Sequence, residues 1–294
     1  MKMSFIIASI DRDQELQQCI TSIEKAHEYR QDISIEILVV IQKTKQEKKI
    51  NIRYPQYIAF YYIDGVGLSL ARNFAIGKCK GDYLVFIDDD ATISETFIEI
   101  LLKNISRFNN VNAFCGKLID SAQNIPFSPL FLRDKVKKLN RFDYQYFMGS
   151  AHVLSRRVIN KIGCYDENFG VGAKYYGSEE SDIFFRLKAA NEHVLYLPDL
   201  IFFHPIPKAL PLYVYNYAYA FGAVLTKSSL NDKAYLFVYG IIAMKIAAKA
   251  FIRILQKLLL KGIYKEKDEK YHYSSVLNGT FQGIKDFICR ESSS

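Results

Sequence analysis

The chain of 294 residues contains no tryptophan, no glycine before Gly65 and no proline after Pro211. The missing early glycines exclude a GxGxxG loop or a Walker-type phosphate loop after the first strand. A nucleotide bound to this chain therefore needs other groups to neutralise its phosphates. No apolar run reaches the about 20 residues that span a bilayer, since the stretch Ala234–Met244 ends at Lys245. A transmembrane helix is not expected.

Cysteines are few and scattered, with five in the chain and no CxxC pair. An odd and widely spaced set argues against a disulfide framework and against a zinc ribbon. The N-terminal apolar stretch is too short for a signal peptide and continues into a strand-like pattern. We therefore expect a protein of the cytoplasm.

Positive charge is concentrated near the C-terminus. Residues Lys227–Ser294 hold 12 Lys/Arg and 6 Asp/Glu, which accounts for +6 of the net +8. A nucleic-acid-binding surface spread over the whole molecule is therefore not expected. The content of 50% hydrophobic and 24% charged residues is that of a globular chain with a core.

Short β-branched runs alternate with helical patterns over the first hundred residues, which predicts βαβ units and a parallel sheet. Such an open α/β sheet binds ligands at the carboxyl ends of its strands. Strands are predicted at Ser4–Ala8, Ile35–Ile41, Tyr57–Tyr62, Tyr83–Ile87 and Tyr146–Leu154, with one or two short strands over Val194–His204. Helices are predicted at Asp13–Tyr29, Leu68–Lys78, Glu95–Phe108, after Arg156, at Glu179–Asn191 and across Leu212–Ile263.

One apolar strand ends in three carboxylates, Asp88, Asp89 and Asp90. In an extended chain Asp88 and Asp90 project to one side and Asp89 to the other. Two such carboxylates repel unless a cation lies between them, and hard oxygen ligands favour Mg²⁺ or Mn²⁺. The alternative is a solvated acidic turn. The position at the end of a buried parallel strand favours the metal.

A second acidic pair, Glu179 and Glu180, begins a predicted helix behind the glycine-containing loop Gly170–Gly177. The positive end of the helix dipole stabilises acids in the first turn, which by itself accounts for the pair. The functional alternative is that one of the two accepts a proton from a hydroxyl nucleophile. The residues alone leave both open.

An ordered set of motifs runs through residues 4–205. It consists of SFIIAS, GLSLARN, GDYLVFIDDD, MGSAHVLSRR, IGCYDENFGVG, SEESDIFFR and FFHP. This set resembles the family 2 glycosyltransferases of GT-A fold, of the bacterial surface-polysaccharide type. The resemblance implies a Rossmann-like, mostly parallel sheet flanked by helices over residues 1–208. Residues 209–294 then form a basic helical C-terminal extension.

The activity that the resemblance implies is an inverting, metal-assisted transfer of a sugar from a nucleoside diphosphate-sugar to a hydroxyl. The acceptor is a glycan or a lipid-linked saccharide in polysaccharide biosynthesis, and the cofactor is Mn²⁺ or Mg²⁺. Two alternatives remain: a sugar-nucleotide nucleotidylyltransferase, and a non-enzymatic membrane-surface scaffold with a degenerate domain. The nucleotidylyltransferase needs a glycine-rich loop after the first strand, where this chain has none.

Donor-side roles also follow from the resemblance. Asp88 and Asp90 match the DxD metal pair, and Asp89 is implied to lie near the ribose or the donor sugar. Arg72 resembles an arginine that binds near the diphosphate. His204 falls where many such enzymes place a histidine at the metal, although a partly buried histidine ending a strand is equally consistent with its position.

Acceptor-side roles centre on the second acidic pair. Glu180 matches the general base of the family and Glu179 is implied to face the acceptor. The family usually has Asp at the base position, so Glu180 is one methylene longer. Asp182 lies about 200° from Glu180 around the helix and is expected to pair with Arg186 as structural support.

Departures from the family pattern occur after the first two strands. Ala8, Ser9 and Asp11 stand where the family often has proline, threonine and asparagine. Ile41 and Gln42 stand where an aspartate usually reads the base. Ser9, Asp11 and Gln42 are implied to bind the donor, and Gln42 has both a donor and an acceptor for a base edge.

A basic stripe recurs every four residues near the C-terminus, at Lys245, Lys249, Arg253, Lys257 and Lys261. No acid occurs between Lys233 and Lys265. Because a four-residue step drifts only about 40° around a helix, the pattern predicts a basic amphipathic helix. Such a helix is attracted to anionic lipid, which places the protein peripherally at the inner face of the cell membrane. The alternative is a helix packed on the catalytic domain with a solvated basic face.

Overall fold

The computed structural model describes residues 1–10, 12–43, 55–206, 211–259 and 273–291. The strands are β1 (Lys2–Ser9), β2 (Ser34–Lys43), β3 (Ile58–Asp64), β4 (Tyr83–Asp88), β5 (Thr92–Ile93), β6 (Ala113–Asp120), β7 (Ile125–Pro126), β8 (Lys137–Lys138), β9 (His152–Ser155) and β10 (Val194–His204). The helices are α1 (Asp13–Tyr29), α2 (Leu68–Lys78), α3 (Phe97–Arg107), α4 (Arg156–Ile162), α5 (Glu179–Ala189), α6 (Pro211–Asn231), α7 (Ala234–Leu259) and α8 (Tyr273–Glu291).

The chain divides into two compact units. The first comprises Met1–Glu167 and Glu179–Ile206, and the second comprises Asn168–Ser178 and Pro207–Ser294. The loop ahead of α5 therefore groups with the C-terminal helices rather than with the sheet. The domain boundary expected after residue 208 stays a prediction.

The first unit is built on one sheet with the strand order β3-β2-β1-β4-β9-β6-β10-β5. β1 to β4 pair in parallel, as do β6 and β10, whereas β9 runs antiparallel to both of its neighbours. Almost every side chain of β1 and β4 is buried, as expected for parallel strands covered on both faces. The predicted mostly parallel α/β sheet is confirmed. Its parallel registers bring Ser9 and Asp88 to the same carboxyl edge.

The short edge strand β5 explains how a distant residue reaches this edge. It follows the three aspartates directly and pairs antiparallel with the end of β10, with Thr92 opposite Phe203. The next residue of β10 is His204. The pairing therefore carries His204 to the turn that contains Asp90.

One predicted strand needs correction. The strand predicted over Tyr146–Leu154 is wrong over its first six residues, because β9 begins only at His152. Ahead of it the N–H of Ala151 donates to the Met148 carbonyl (3.2 Å), which makes a local turn instead of a ladder bond. The range Val194–His204, predicted to form one or two short strands, is one continuous strand, β10, whose register against β6 shifts between Leu197 and Ile201. The shift spans Pro198, which has no N–H to donate.

The second unit packs α6 against α8 with their backbones very close together. A Cβ added at Gly222 would lie 2.2 Å from the Thr280 carbonyl oxygen, and one at Gly283 would lie 2.0 Å from that of Tyr219. Only glycine allows this approach. α6 and α7 occupy most of the range Leu212–Ile263 predicted as helices, and α8 lies in the remainder of the helical extension expected over residues 209–294. None of the described helices is both long enough and apolar enough to cross a membrane.

A matched pair of glycines tests the packing of the sheet. A Cβ at Gly116 in β6 would lie 2.1 Å from the Leu200 carbonyl oxygen, whereas nothing lies within 4 Å of one at Gly77 in α2. We expect Gly116→Ala to lower the free energy of unfolding by about 1–3 kcal/mol through overpacking. Gly77→Ala should raise it by up to about 1 kcal/mol through helix propensity. Urea denaturation measures both, and equal midpoints for the two variants would contradict the packing.

Candidate active site

Three side chains at the carboxyl edge form a cluster that could hold a metal ion. One ligand atom each from Asp88, Asp90 and His204 all lie within 4.8 Å of one another. His204 Nε2 is 3.2 Å from Asp90 Oδ1 and 3.8 Å from Asp88 Oδ2. Its Nδ1 lies 2.7 Å from the Pro205 carbonyl, which can only accept, so Nδ1 carries the proton. Nε2 thus faces the carboxylates as in a metal-binding histidine, and the set of ligands suits Mn²⁺ or Mg²⁺.

Opposite charges in this cluster shift the pKa values of His204 and Asp90. Burial alone would lower the pKa of His204, but the hydrogen bond to Asp90 and the charges of Asp88 and Asp90 outweigh it and raise that pKa. Burial would likewise raise the pKa of Asp90, but His204 and Arg12 lower it. Asp89 differs, because burial raises its pKa to about 6. The cluster therefore favours positive charge beside Asp90.

The end of β1 supplies a cation that the sequence analysis missed. The Arg12 guanidinium contacts Asp90 Oδ2 closely and lies 3.3 Å from Asp89 Oδ1. Ser9 Oγ donates to Asp89 Oδ2 at 2.6 Å, which fixes the middle aspartate to β1. The sequence could have indicated this contact, because Arg12 follows β1 by three residues and β1 is the neighbour of β4, which ends in the aspartates. Asp11 lies outside the described residues.

Arg72 connects the two acidic pairs from a position in α2 that is 1% exposed. Its Nη2 donates to Asp88 Oδ1 and to the Gly149 carbonyl, both at 2.9 Å. Its Nη1 donates to Glu179 Oε1 at 3.1 Å. Each metal-facing carboxylate thus binds an arginine through one oxygen, Asp88 to Arg72 and Asp90 to Arg12, and turns the other oxygen towards His204.

Two buried aromatic side chains, Tyr165 and His152, pack beside Arg72. The guanidinium carbon lies 5.4 Å from the centre of the Tyr165 ring, and the Tyr165 hydroxyl lies 2.6 Å from His152 Nε2. His152 Nδ1 lies 2.9 Å from the Met148 carbonyl, so Nδ1–H donates there and Nε2 accepts from Tyr165. Burial and the charge of Arg72 lower the pKa of His152 to about 3. The imidazole is therefore neutral. Neither His152 nor Tyr165 was predicted from the sequence, because their position beside Arg72 depends on tertiary packing.

Glu179 and Glu180 differ in their surroundings. Glu179 is buried and bound to Arg72, whereas Glu180 is half-buried and accepts a hydrogen bond from Ser181 Oγ (3.2 Å). Burial and the charge of Glu179 raise the pKa of Glu180 to about 8. Gly149 leaves room for both acids, because an added Cβ would lie 3.2 Å from Glu179 Oε1 and 3.8 Å from Glu180 Oε2. An acid able to take up a proton near neutral pH therefore stands beside the buried ion pair.

Asp182 and Arg186 form an ion pair within α5. Arg186 Nε lies 2.9 Å from Asp182 Oδ2, and the same guanidinium donates to the carbonyls of Ile162 (2.6 Å) and Cys164 (2.8 Å). These carbonyls are at and just beyond the end of α4. The pair therefore ties two helices together, and Asp182 is 1% exposed.

Gln42 occupies the end of β2 with its carbonyl oxygen already engaged. Oε1 accepts a hydrogen bond from the Gly67 N–H at 2.6 Å, and the residue is 4% exposed. Gly67 directly precedes α2, the helix that carries Arg72. In this structure Gln42 positions the start of that helix, and its contact with a nucleotide base stays a prediction.

Comparison with known proteins shows the family of this chain. The family model for glycosyl transferase family 2 matches residues 4–163, more than half of the chain. The chain belongs to glycosyl transferase family 2. It is therefore a glycosyltransferase. The chain is also similar to an uncharacterized protein of Haemophilus influenzae, with 27% identity over an alignment of 176 residues that covers 55% of this chain and 91% of that protein.

Solved glycosyltransferase structures share the fold. TarS 1-349 of S. aureus matches with a TM-score of 0.63 at 14% identity, over 97% of this chain and 81% of that one. A structure of the same TarS region is in complex with UDP. The mannosyltransferase PcManGT from Pyrobaculum calidifontis, in complex with GDP-Man and Mn²⁺, matches with a TM-score of 0.62 at 14% identity, over 97% and 86%. The sheet of this family 2 chain is thus that of the GT-A fold.

The support behind Arg72 can be tested by removing one hydroxyl. Tyr165→Phe keeps the ring against the guanidinium but leaves His152 Nε2 buried without a donor. An unsatisfied buried acceptor costs about 1–3 kcal/mol, so the free energy of unfolding should fall by that amount. Tyr29→Phe, at a ring that is 56% exposed, is the matched control and should change it by less than about 0.5 kcal/mol. If urea denaturation gives both variants the same stability, the Tyr165–His152 bond does not contribute.

Proposed function

We propose that this glycosyltransferase carries out an inverting, metal-assisted transfer from a nucleoside diphosphate-sugar to a hydroxyl of a glycan or lipid-linked saccharide. The observation that carries the proposal is the double attachment of Arg72. Its two terminal nitrogens bind Asp88, in the possible metal cluster, and Glu179, next to Glu180. A site for a diphosphate and a site for a proton acceptor are thereby held by one rigid group.

The donor side rests on charge. Without a glycine-rich phosphate loop, the negative diphosphate needs cations, and Asp88, Asp90 and His204 are the residues that would hold Mn²⁺ or Mg²⁺. When bound, such an ion neutralises charge on the leaving diphosphate. The nucleotides named with TarS and PcManGT support a nucleotide-sugar donor. Ser9 and Asp89, joined at 2.6 Å, form a hydrogen-bonding pair at the same edge for the donor.

Glu180 is the general base in this proposal. The acceptor oxygen bonds to the anomeric carbon as its proton moves to Glu180. The bond from that carbon to the diphosphate breaks, and the electron pair leaves with the diphosphate. Attack opposite the leaving group inverts the configuration. Glu179 is bound to Arg72, where it can orient an acceptor hydroxyl beside Glu180, and Asp182 is held by Arg186.

Glu180→Gln tests the base directly. The amide keeps the size of the side chain and removes the proton acceptor, so turnover should fall by about 10²–10⁴ while the affinity for donor persists. Asp182→Asn is the matched control and should lower stability but leave turnover within about threefold. Steady-state kinetics with calorimetric donor binding measures both. The assignment is wrong if Asp182→Asn is inactive and Glu180→Gln is not.

The raised pKa of Glu180 predicts the pH dependence. A base acts only when deprotonated, so kcat/KM should rise with pH and level off above about 8. For Glu180→Gln the remaining kcat/KM should no longer rise with pH over this range. A rate profile recorded from pH 6 to 9 checks it. A flat profile for the unmutated enzyme would contradict the assignment.

Metal binding can be measured without turnover. Asp90→Asn removes one carboxylate from the cluster and should weaken Mn²⁺ binding at least about tenfold, seen as free Mn²⁺ by electron paramagnetic resonance. Asp199→Asn, at an exposed acid outside the cluster, should leave binding unchanged. If both variants bind Mn²⁺ equally well, the cluster of Asp88, Asp90 and His204 is not the metal site.

We propose a cytoplasmic location with peripheral attachment to the inner face of the cell membrane. The support is the basic stripe, four of whose members fall within α7. Lys245 is exposed. The side chains of Lys249, Arg253 and Lys257, and all of Lys261, lie outside the described residues. Such a location suits an enzyme of surface-polysaccharide synthesis, whose lipid-linked acceptors lie in that membrane.

A further inference from the structure

Helix α7 presents a row of large apolar side chains that are more than half exposed among the residues that the structure describes. Phe237 is 71% exposed, Met244 64% and Phe251 62%. The three residues are spaced by seven, which is two helical turns with a drift of only about 20°. They therefore lie in one line along the helix. We call Phe237, Met244 and Phe251 the apolar row.

The opposite side of α7 accounts for its packing. Tyr235, Val238 and Ile242 are 1%, 2% and 8% exposed, and they lie more than about 100° around the axis from Met244. The helix thus has a separate buried side, and the apolar row is not a frayed edge of the core. Leu236 and Ile252, also more than half exposed, widen it. Exposed apolar surface of this extent marks an interaction site.

The charge of α7 identifies what covers the row. The helix contains four Lys or Arg residues and no acid, within an acid-free stretch from Lys233 to Lys265. At about 100° per residue the four cation positions lie on the side of α7 away from the row, so the helix has one apolar and one basic side. Anionic lipid headgroups attract these cations, while acyl chains accept the apolar side chains.

We propose that the apolar row of α7 inserts into the surface layer of a membrane that carries anionic lipids, with the helix lying in the membrane plane. The cations that recur every four residues interrupt any apolar span, so the helix rests on the bilayer and does not cross it. This inference goes beyond the transfer reaction and does not rest on the assignment of Glu180. It adds apolar insertion to the electrostatic attraction of the basic stripe.

The absence of tryptophan allows a direct probe of insertion. Phe251→Trp introduces the only tryptophan of the chain. Its emission should shift to shorter wavelength with phosphatidylcholine vesicles containing phosphatidylglycerol, and brominated acyl chains should quench it. Phe142→Trp, at an exposed aromatic of the first unit, should show neither effect. Anionic vesicles that leave the Phe251→Trp spectrum unchanged at low salt would overturn the proposal.

A triple variant separates insertion from simple charge attraction. Phe237→Gln, Met244→Gln and Phe251→Gln together keep every cation, and should lower the vesicle partition coefficient at least about 100-fold. The midpoint of urea denaturation should stay close to that of the unmutated protein, because exposed sites contribute little to stability, which shows that the variant is folded whether or not the proposed transfer activity holds. Unchanged vesicle binding would overturn the proposal. So would a variant that only converts a dimer to a monomer, because the row would then be a contact between copies.

Discussion

The buried guanidinium of Arg72 is the interaction on which the rest of the site depends. A buried charge is costly unless it is paired, and removing one partner of such a pair costs about 3–5 kcal/mol. Arg72 satisfies this requirement with Asp88, Glu179 and the Gly149 carbonyl, which come from three separate segments of the chain. The end of β4, the start of α5 and the turn before β9 are therefore fixed relative to one another.

The distribution of acids around Arg72 also sets the chemistry of Glu180. Arg72 donates a hydrogen bond to Glu179, whereas Glu180 accepts one from Ser181 Oγ. Burial and the neighbouring charge of Glu179 together raise the pKa of Glu180. Asp182 is bound by Arg186. The three acids of the first turn of α5 therefore have different partners: Glu179 binds Arg72, Glu180 binds Ser181 and Asp182 binds Arg186.

Sequence patterns predicted the parts of the molecule that local rules determine. The parallel strands follow from buried β-branched runs, and Asp88 and Asp90 were expected at the end of a strand, where the structure has them. The role of Glu180 as the base stays a prediction. The turn before β9 was misread, because its N–H groups bond locally where the side-chain pattern resembles a strand. The contact between His152 and Tyr165 could not be predicted, since it depends on how β9 and the segment after α4 pack. Arg12 was within reach of reasoning, because β1 and β4 are neighbours.

The two arginines explain how the acidic edge is stable while remaining able to take a further cation. Asp88 and Asp90 each give one oxygen to an arginine, which neutralises part of their charge and fixes the plane of the carboxylate. Their other oxygens point towards His204, whose Nδ1 is anchored to the Pro205 carbonyl. Since carboxylates oriented by outer partners lose little freedom on binding a cation, the cluster is organised in advance. The edge strand β5 contributes to this arrangement, because its pairing with β10 brings the end of that strand to the turn that contains Asp90.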